Sequence, residues 1–176
     1  QHVGKTTLCL GILSGLFKRF EKVGFIKPIG QQHVEVHEGL HVDKDAVLFR
    51  ERFNLDIPYS DMSPVLVPTG FTRDYLDGKI EFTLLKQRIC ESFERVRRQH
   101  HFTVVEGTGH AGVGSIIDLN NADVAAALRL EVVLVTTGGL GSAFDQLALN
   151  WELLKSRGVK VRGIILNKVL PEKIPM

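Results

Sequence analysis

Two cysteines in 176 residues are too few for a disulfide framework. Cys9 and Cys90 both fall on apolar stripes, as reduced core residues of a cytoplasmic protein do. An excess of one charge sign is also missing. With 22 Lys and Arg against 20 Asp and Glu, the formal charge is +2, which removes nucleic acid as the expected partner. Long hydrophobic runs are lacking too. The one candidate, LCLGILSGLF at residues 8–17, is far too short to span a bilayer. Lys18 and Arg19 follow it at once with no small-residue cleavage site, so it reads as an amphipathic or buried helix and gives no membrane partner. Internal repeats and low-complexity tracts are absent. What is there, 44% hydrophobic and 24% charged residues, suits one ordinary globular domain with a proper core.

A further absence bears on function. Gly4-Lys5-Thr6-Thr7, ahead of an apolar run, is the second half of the phosphate-loop pattern G-x-x-x-x-G-K-[ST]. The first glycine of that pattern would stand before Gln1. In such a loop the backbone amides around Val3, Gly4 and Thr7 turn toward phosphate and the next helix presents its positive end. Lys5 reaches the β- and γ-phosphates, and Thr6 offers a hydroxyl to Mg²⁺. The competing reading is a helix start that happens to contain Gly-Lys-Thr.

Four short apolar runs, VGFI (residues 23–26), FTVVE (102–106), VVLVTT (132–137) and VRGIILN (161–167), lack alternation and read as strands covered on both faces. Helical patterns fall between them at residues 7–20, 43–53, 82–98 and 142–155, the second opening on Asp43 as a cap and the last stopped by Gly158. Strands alternating with helices predict a three-layer α/β fold with a mostly parallel, doubly wound sheet. Ligands in such sheets gather at the carboxyl ends of the strands. Residues 31–39 and 54–79 read as loops over that edge.

Several residues at those strand ends carry chemistry. Lys27, before Pro28, is placed to clamp transferring phosphate oxygens; the alternative is a lysine snorkelling from the strand end. Glu106, before Gly107-Thr108-Gly109, stands where a Mg²⁺ ligand is expected, since an unpaired carboxylate buried at a sheet edge is costly. Asp43 and Asp45 open a helix, with capping the stronger reading for Asp43. The stretch 138–142, GGLGS, lets backbone amides approach an anion or is a plain strand-to-helix turn. Asn167 can read a base edge through its donor and acceptor. His33, His37 and His41 have helical spacing, but Val34, Val36 and Gly39 argue against a helix and no Cys or carboxylate cluster completes a zinc set, so they read as loop histidines.

Taken in order, VGKTT, KPIG, DKDAVLF, VVEGTG, LGSAF and ILNKV resemble the dethiobiotin synthetase family, across residues 1–171. The resemblance extends to the amidating synthases of cobyrinic acid and to the ATP-binding-like front domain of long phosphotransacetylases. It implies a P-loop NTPase fold and an ATP- and Mg²⁺-dependent ligase-like enzyme that activates a carboxylate or carbamate by phosphoryl transfer, as in biotin biosynthesis. By similarity, Lys5 and Lys27 bind phosphate and stabilise the transfer, while Thr6, Asp45 and Glu106 hold Mg²⁺. Gly141, Ser142, Ala143 and Phe144 match the helix start that receives a small-molecule substrate's carboxylate across a homodimer interface. Asn167 matches the asparagine that recognises adenine. The alternative is a nucleotide-binding regulatory domain without chemistry. After Glu106 this chain reads GTGHAGVGSIIDLNN, where the synthetase has a glycine-aromatic loop, so His110 and residues 118–121 receive no role. The half motif at the start and the stop after the Asn-Lys strand lead us to expect a single ATP-binding domain that is a fragment, with a first strand upstream and further elements or domains beyond.

Overall fold

The computed structural model describes residues 3–37, 39–139 and 141–174. Gln1 and Met176, at the two ends of the fragment reading, and Leu140 of the glycine stretch lie outside them. Contacts divide the chain into two compact units, residues 6–108 with 116–118, and residues 1–5 with 109–115 and 119–176.

In the first unit, helix α1 (Lys5–Leu16) leads to strand β1 (Val23–Ile26), which is buried at every position. Strand β6 (Phe102–Val105) pairs with β1 in parallel, Ile26 opposite Val105. Helix α2 (Lys44–Phe53) turns Ala46 and Phe49 inward, and the Phe49 ring stacks on that of Phe25 with centroids 3.8 Å apart. Helix α5 (Phe82–Gln99) buries Leu85, Ile89, Phe93 and Val96 at the three-to-four-residue spacing read from its sequence.

The two stretches read as loops carry structure. Strand β3 (His33–His37) and strand β4 (Leu40–Asp43) form an antiparallel hairpin, which β-branched Val34, Val36 and Val42 favour. The His33 and His41 rings meet edge to face across it, with centroids 5.3 Å apart. Beyond residue 54 come helix α3 (Tyr59–Met62), strand β5 (Val65–Leu66) and helix α4 (Phe71–Leu76). Strand β2 (Ile29–Gly30) pairs in parallel with β5. These pieces are too short for a periodic pattern to betray them.

In the second unit, strand β7 (Val132–Thr137) follows helix α6 (Asn121–Ala127) in the chain, strand β8 (Val161–Asn167) follows helix α7 (Ser142–Ser156), and the two strands pair in parallel. Ala111, Ala122, Ala125, Leu154 and Val159 form its core. Both strands match the predicted bounds, but coverage on both faces does not hold: Val133, Ile164 and Leu166 are exposed. Among the described residues three of the four strand pairs are parallel, and the fold is the mostly parallel, doubly wound, three-layer α/β class.

Candidate functional site

The register of β1 and β6 sets Lys27 and Glu106 side by side. Ile26 lies opposite Val105, and the Glu106 amide donates to the Ile26 carbonyl at 3.0 Å, so the next residue of each strand leaves the sheet at the same edge. The Lys27 amide donates to Met62 O at 2.7 Å, which holds its exit from the strand. Both side chains are buried. Asp45 reaches the same place from α2. Asp43 precedes that helix in extended conformation, and its Oδ1 accepts from the Asp45 amide at 2.9 Å. The cap therefore delivers the carboxylate two residues on, Asp45, into the strand-end cluster.

Four charged side chains meet there. The Lys27 ammonium donates to Asp45 Oδ2 and lies 3.5 Å from Asp43 Oδ1 and 3.9 Å from Glu106 Oε1. The Thr6 hydroxyl donates to Glu106 Oε1 at 2.9 Å, with Asp45 Oδ2 at 3.5 Å. Burial by itself would lower the Lys27 pKa, but the charge of Glu106, the hydrogen bond to Asp45 and the charge of Asp43 together raise it. Burial lifts the Asp43 carboxyl above its usual range, and Lys27 only partly opposes this. Asp43 Oδ2 is buried without a hydrogen-bond partner and faces Gly30, where a Cβ would lie 2.7 Å from it. Sequence reasoning found Asp43 as a cap but missed it as an ion-pair partner. The Asp-x-Asp spacing was the available signal.

The structure thus brings Thr6, Lys27, Asp45 and Glu106 together in the first unit. Thr6, Asp45 and Glu106 supply a hydroxyl and two carboxylates, the hard oxygen donors that suit Mg²⁺. Among the described residues no group of three or more His, Cys, Asp or Glu side chains is arranged to hold a metal ion. A magnesium site of one or two carboxylates completed by phosphate and water needs no such group.

In the second unit, the Lys5 ammonium donates to Gly109 O at 2.7 Å, and Asn167 Nδ2 donates to Val3 O at 2.8 Å. Gly4 lies between these contacts in the chain at φ +90°, a conformation glycine adopts freely. Thr7 is exposed on the first turn of α1. Helix α7 starts at Ser142 after Gly141 with no side-chain cap, and the amides of Phe144 and Asp145 turn back to Gly141 O. Ala143 is half-buried and Phe144 exposed.

The segment left without a role is a cross-linked turn. Asn121 Nδ2 donates to His110 O at 2.7 Å, and Ala111 N donates to Asn150 Oδ1 at 2.7 Å. Asn120 caps α6 through the Asp123 amide at 2.9 Å. In the other unit, Asp118 accepts from the Tyr75 hydroxyl at 3.1 Å. No helix among the described residues is long and apolar enough to cross a membrane.

A family model described as AAA domain matches residues 1–174. The chain is 34% identical over 178 residues to the ATP-dependent dethiobiotin synthetase of Anaeromyxobacter dehalogenans, covering 98% of this chain and 75% of that protein. It is 27% identical over 169 residues to the ATP-dependent dethiobiotin synthetase of Methanocaldococcus jannaschii, covering 94% of this chain and 74% of that protein. It is 28% identical over 170 residues to the phosphate acetyltransferase of Nitratidesulfovibrio vulgaris, covering 94% of this chain and 23% of that protein. The chain belongs to the AAA domain family and is a P-loop NTPase domain related to the dethiobiotin synthetases.

Proposed function

We propose that residues 1–176 act as one ATP-binding domain of a ligase-like enzyme that activates a carboxylate or carbamate by phosphoryl transfer. The observation that carries this reading is the buried meeting of Lys27, Asp43, Asp45 and Glu106, with the Thr6 hydroxyl beside them, at the carboxyl ends of two parallel strands. Burying ionised groups is expensive, and replacing them with well-packed apolar residues is often neutral or stabilising. Their concentration at a strand-end edge therefore points to chemistry.

In this reading Thr6, Asp45 and Glu106 hold Mg²⁺, which when bound neutralises charge on the phosphate oxygens. Lys5 and the backbone amides of Val3, Gly4, Thr6 and Thr7 hold the β- and γ-phosphates. Lys27 places its ammonium where negative charge develops on the transferring group. Asn167 meets the adenine. The helix start at Gly141, Ser142, Ala143 and Phe144 receives the carboxylate of a small-molecule substrate, in a cytoplasmic homodimer. The resemblance to the dethiobiotin synthetase family makes a diamine with bicarbonate the first acceptor to try.

The test is ADP release by the intact protein with Mg²⁺-ATP, with and without bicarbonate and candidate diamines. ADP formation that requires both Mg²⁺ and an acceptor is the expected result. Nucleotide binding with no ADP under any acceptor would favour the regulatory alternative, which the likeness to a phosphate acetyltransferase supports.

A further inference from the structure

We propose that Asn167 is a positioning residue of the phosphate loop: its side-chain amide clamps the loop backbone at Val3 and joins base recognition to phosphate binding in one rigid group. This rests on the nucleotide site proposed above and goes beyond the role of base reader given there to Asn167.

Asn167 is itself held firmly. It is the last residue of β8, in register with Thr137 of β7, and its carbonyl accepts from the Gly138 amide at 2.9 Å. The chain then turns away through Lys168 at φ +55°. From that anchored position Asn167 Nδ2 donates to Val3 O at 2.8 Å, across 164 residues of sequence. The same nitrogen also sets a limit on its neighbour in the loop. A Cβ on Gly4 would lie 2.5 Å from Asn167 Nδ2, so the amide occupies the space a side chain would need. Gly4 is thus required twice, for its φ of +90° and for the close approach of the amide.

The consequence for anion binding follows from the planar trans peptide. The Val3 carbonyl and the Gly4 N–H share one plane and point in opposite directions. Pinning the carbonyl to Asn167 aims the Gly4 N–H away from Asn167 and keeps a repelling oxygen out of the anion's place. Phosphate loops bind through converging N–H groups, so a carbonyl free to rotate inward would oppose the ligand. With Nδ2 engaged by the loop, Oδ1 remains the acceptor for an exocyclic amine such as that of adenine. Base contact and loop orientation then depend on a single amide plane.

The experiment separates a clamp from a base reader by using a ligand without a base. Inorganic tripolyphosphate and ATP are titrated calorimetrically, with Mg²⁺, into the intact protein and into Asn167→Ala and Asn167→Asp. Lys5→Ala sets the background, and thermal melts establish that each variant is folded. Loss of one such hydrogen bond should weaken tripolyphosphate about tenfold in Asn167→Ala, with ATP falling at least as far. Asn167→Asp, nearly isosteric, sets an acceptor against the Val3 carbonyl and should lose more. Variants that melt like the parent, bind tripolyphosphate unchanged and lose only ATP would show a base reader and overturn the clamp. A parent that binds neither ligand would overturn the nucleotide site itself, and the clamp with it.

Discussion

Lys27 concentrates the chemistry of this chain in one side chain. Burial opposes its charge, yet Glu106, Asp45 and Asp43 keep its pKa raised, so the ammonium persists through neutral pH. A raised folded value means that its contribution to stability is complete below the ordinary lysine range. That contribution is lost only as pH climbs past the folded value. Lys27→Met should lower the rate of phosphoryl transfer far more than ATP affinity, because charge on the transferring group acts most in the transition state. Single-turnover rates set beside nucleotide titrations check this; a change confined to the Michaelis constant for ATP would make Lys27 a binding residue. The variant should also lose about 3–5 kcal/mol of stability by leaving buried carboxylates without their ammonium, readable by urea unfolding. Asp45→Asn and Glu106→Gln keep shape but remove charge, so both should lose Mg²⁺-dependent turnover while retaining the fold.

At the scale of the element, α2 shows how a cap can serve a site. Asp43 closes the first turn of the helix through the Asp45 amide and also faces Lys27. Asp43→Ala should therefore cost about 1 kcal/mol for the cap alone. Asn at this position keeps an acceptor for the same amide. Because burial holds the Asp43 carboxyl above its ordinary range, the parent loses stability as pH rises from that range through the folded value. Asp43→Asn does not titrate. Its melting temperature should gain on the parent's over that interval in metal-free buffer, and a gap that stays constant with pH would contradict the assignment.

For the molecule as a whole, a ligand that binds only the folded chain must raise its melting temperature. At a hundredfold excess over the dissociation constant the gain is about 2.7 kcal/mol. Mg²⁺-ATP should therefore shift the melt of the intact protein upward by several degrees, and Lys5→Ala should abolish the shift. An equal shift in both proteins would place the nucleotide elsewhere. The two units differ in how their strands are covered, which bears on where this stabilisation has to act. β1 is buried at every position, whereas β8 alternates between half-buried and exposed residues and β7 is half-buried except at exposed Val133 and buried Thr136.

Local pattern by itself determined the strands at Val132–Thr137 and Val161–Asn167, the long helix around residues 82–99 and the Asp43 cap, because each depends on neighbours within a few residues. It also singled out Lys27, Asp45 and Glu106, since charged residues at the ends or starts of such elements stand out against an apolar background. It did not disclose the hairpin at His33–His37 and Leu40–Asp43, whose pairing is set by register between strands and not by either strand alone. Nor could it show that Lys27 is shared by three carboxylates or that the Asn167 amide rests on Gly4. Those contacts join residues from 16 to 163 positions apart in sequence. Tertiary structure alone decided them, because only packing brings the ends of separate strands to one edge, and only there do burial and charge act on the same atoms.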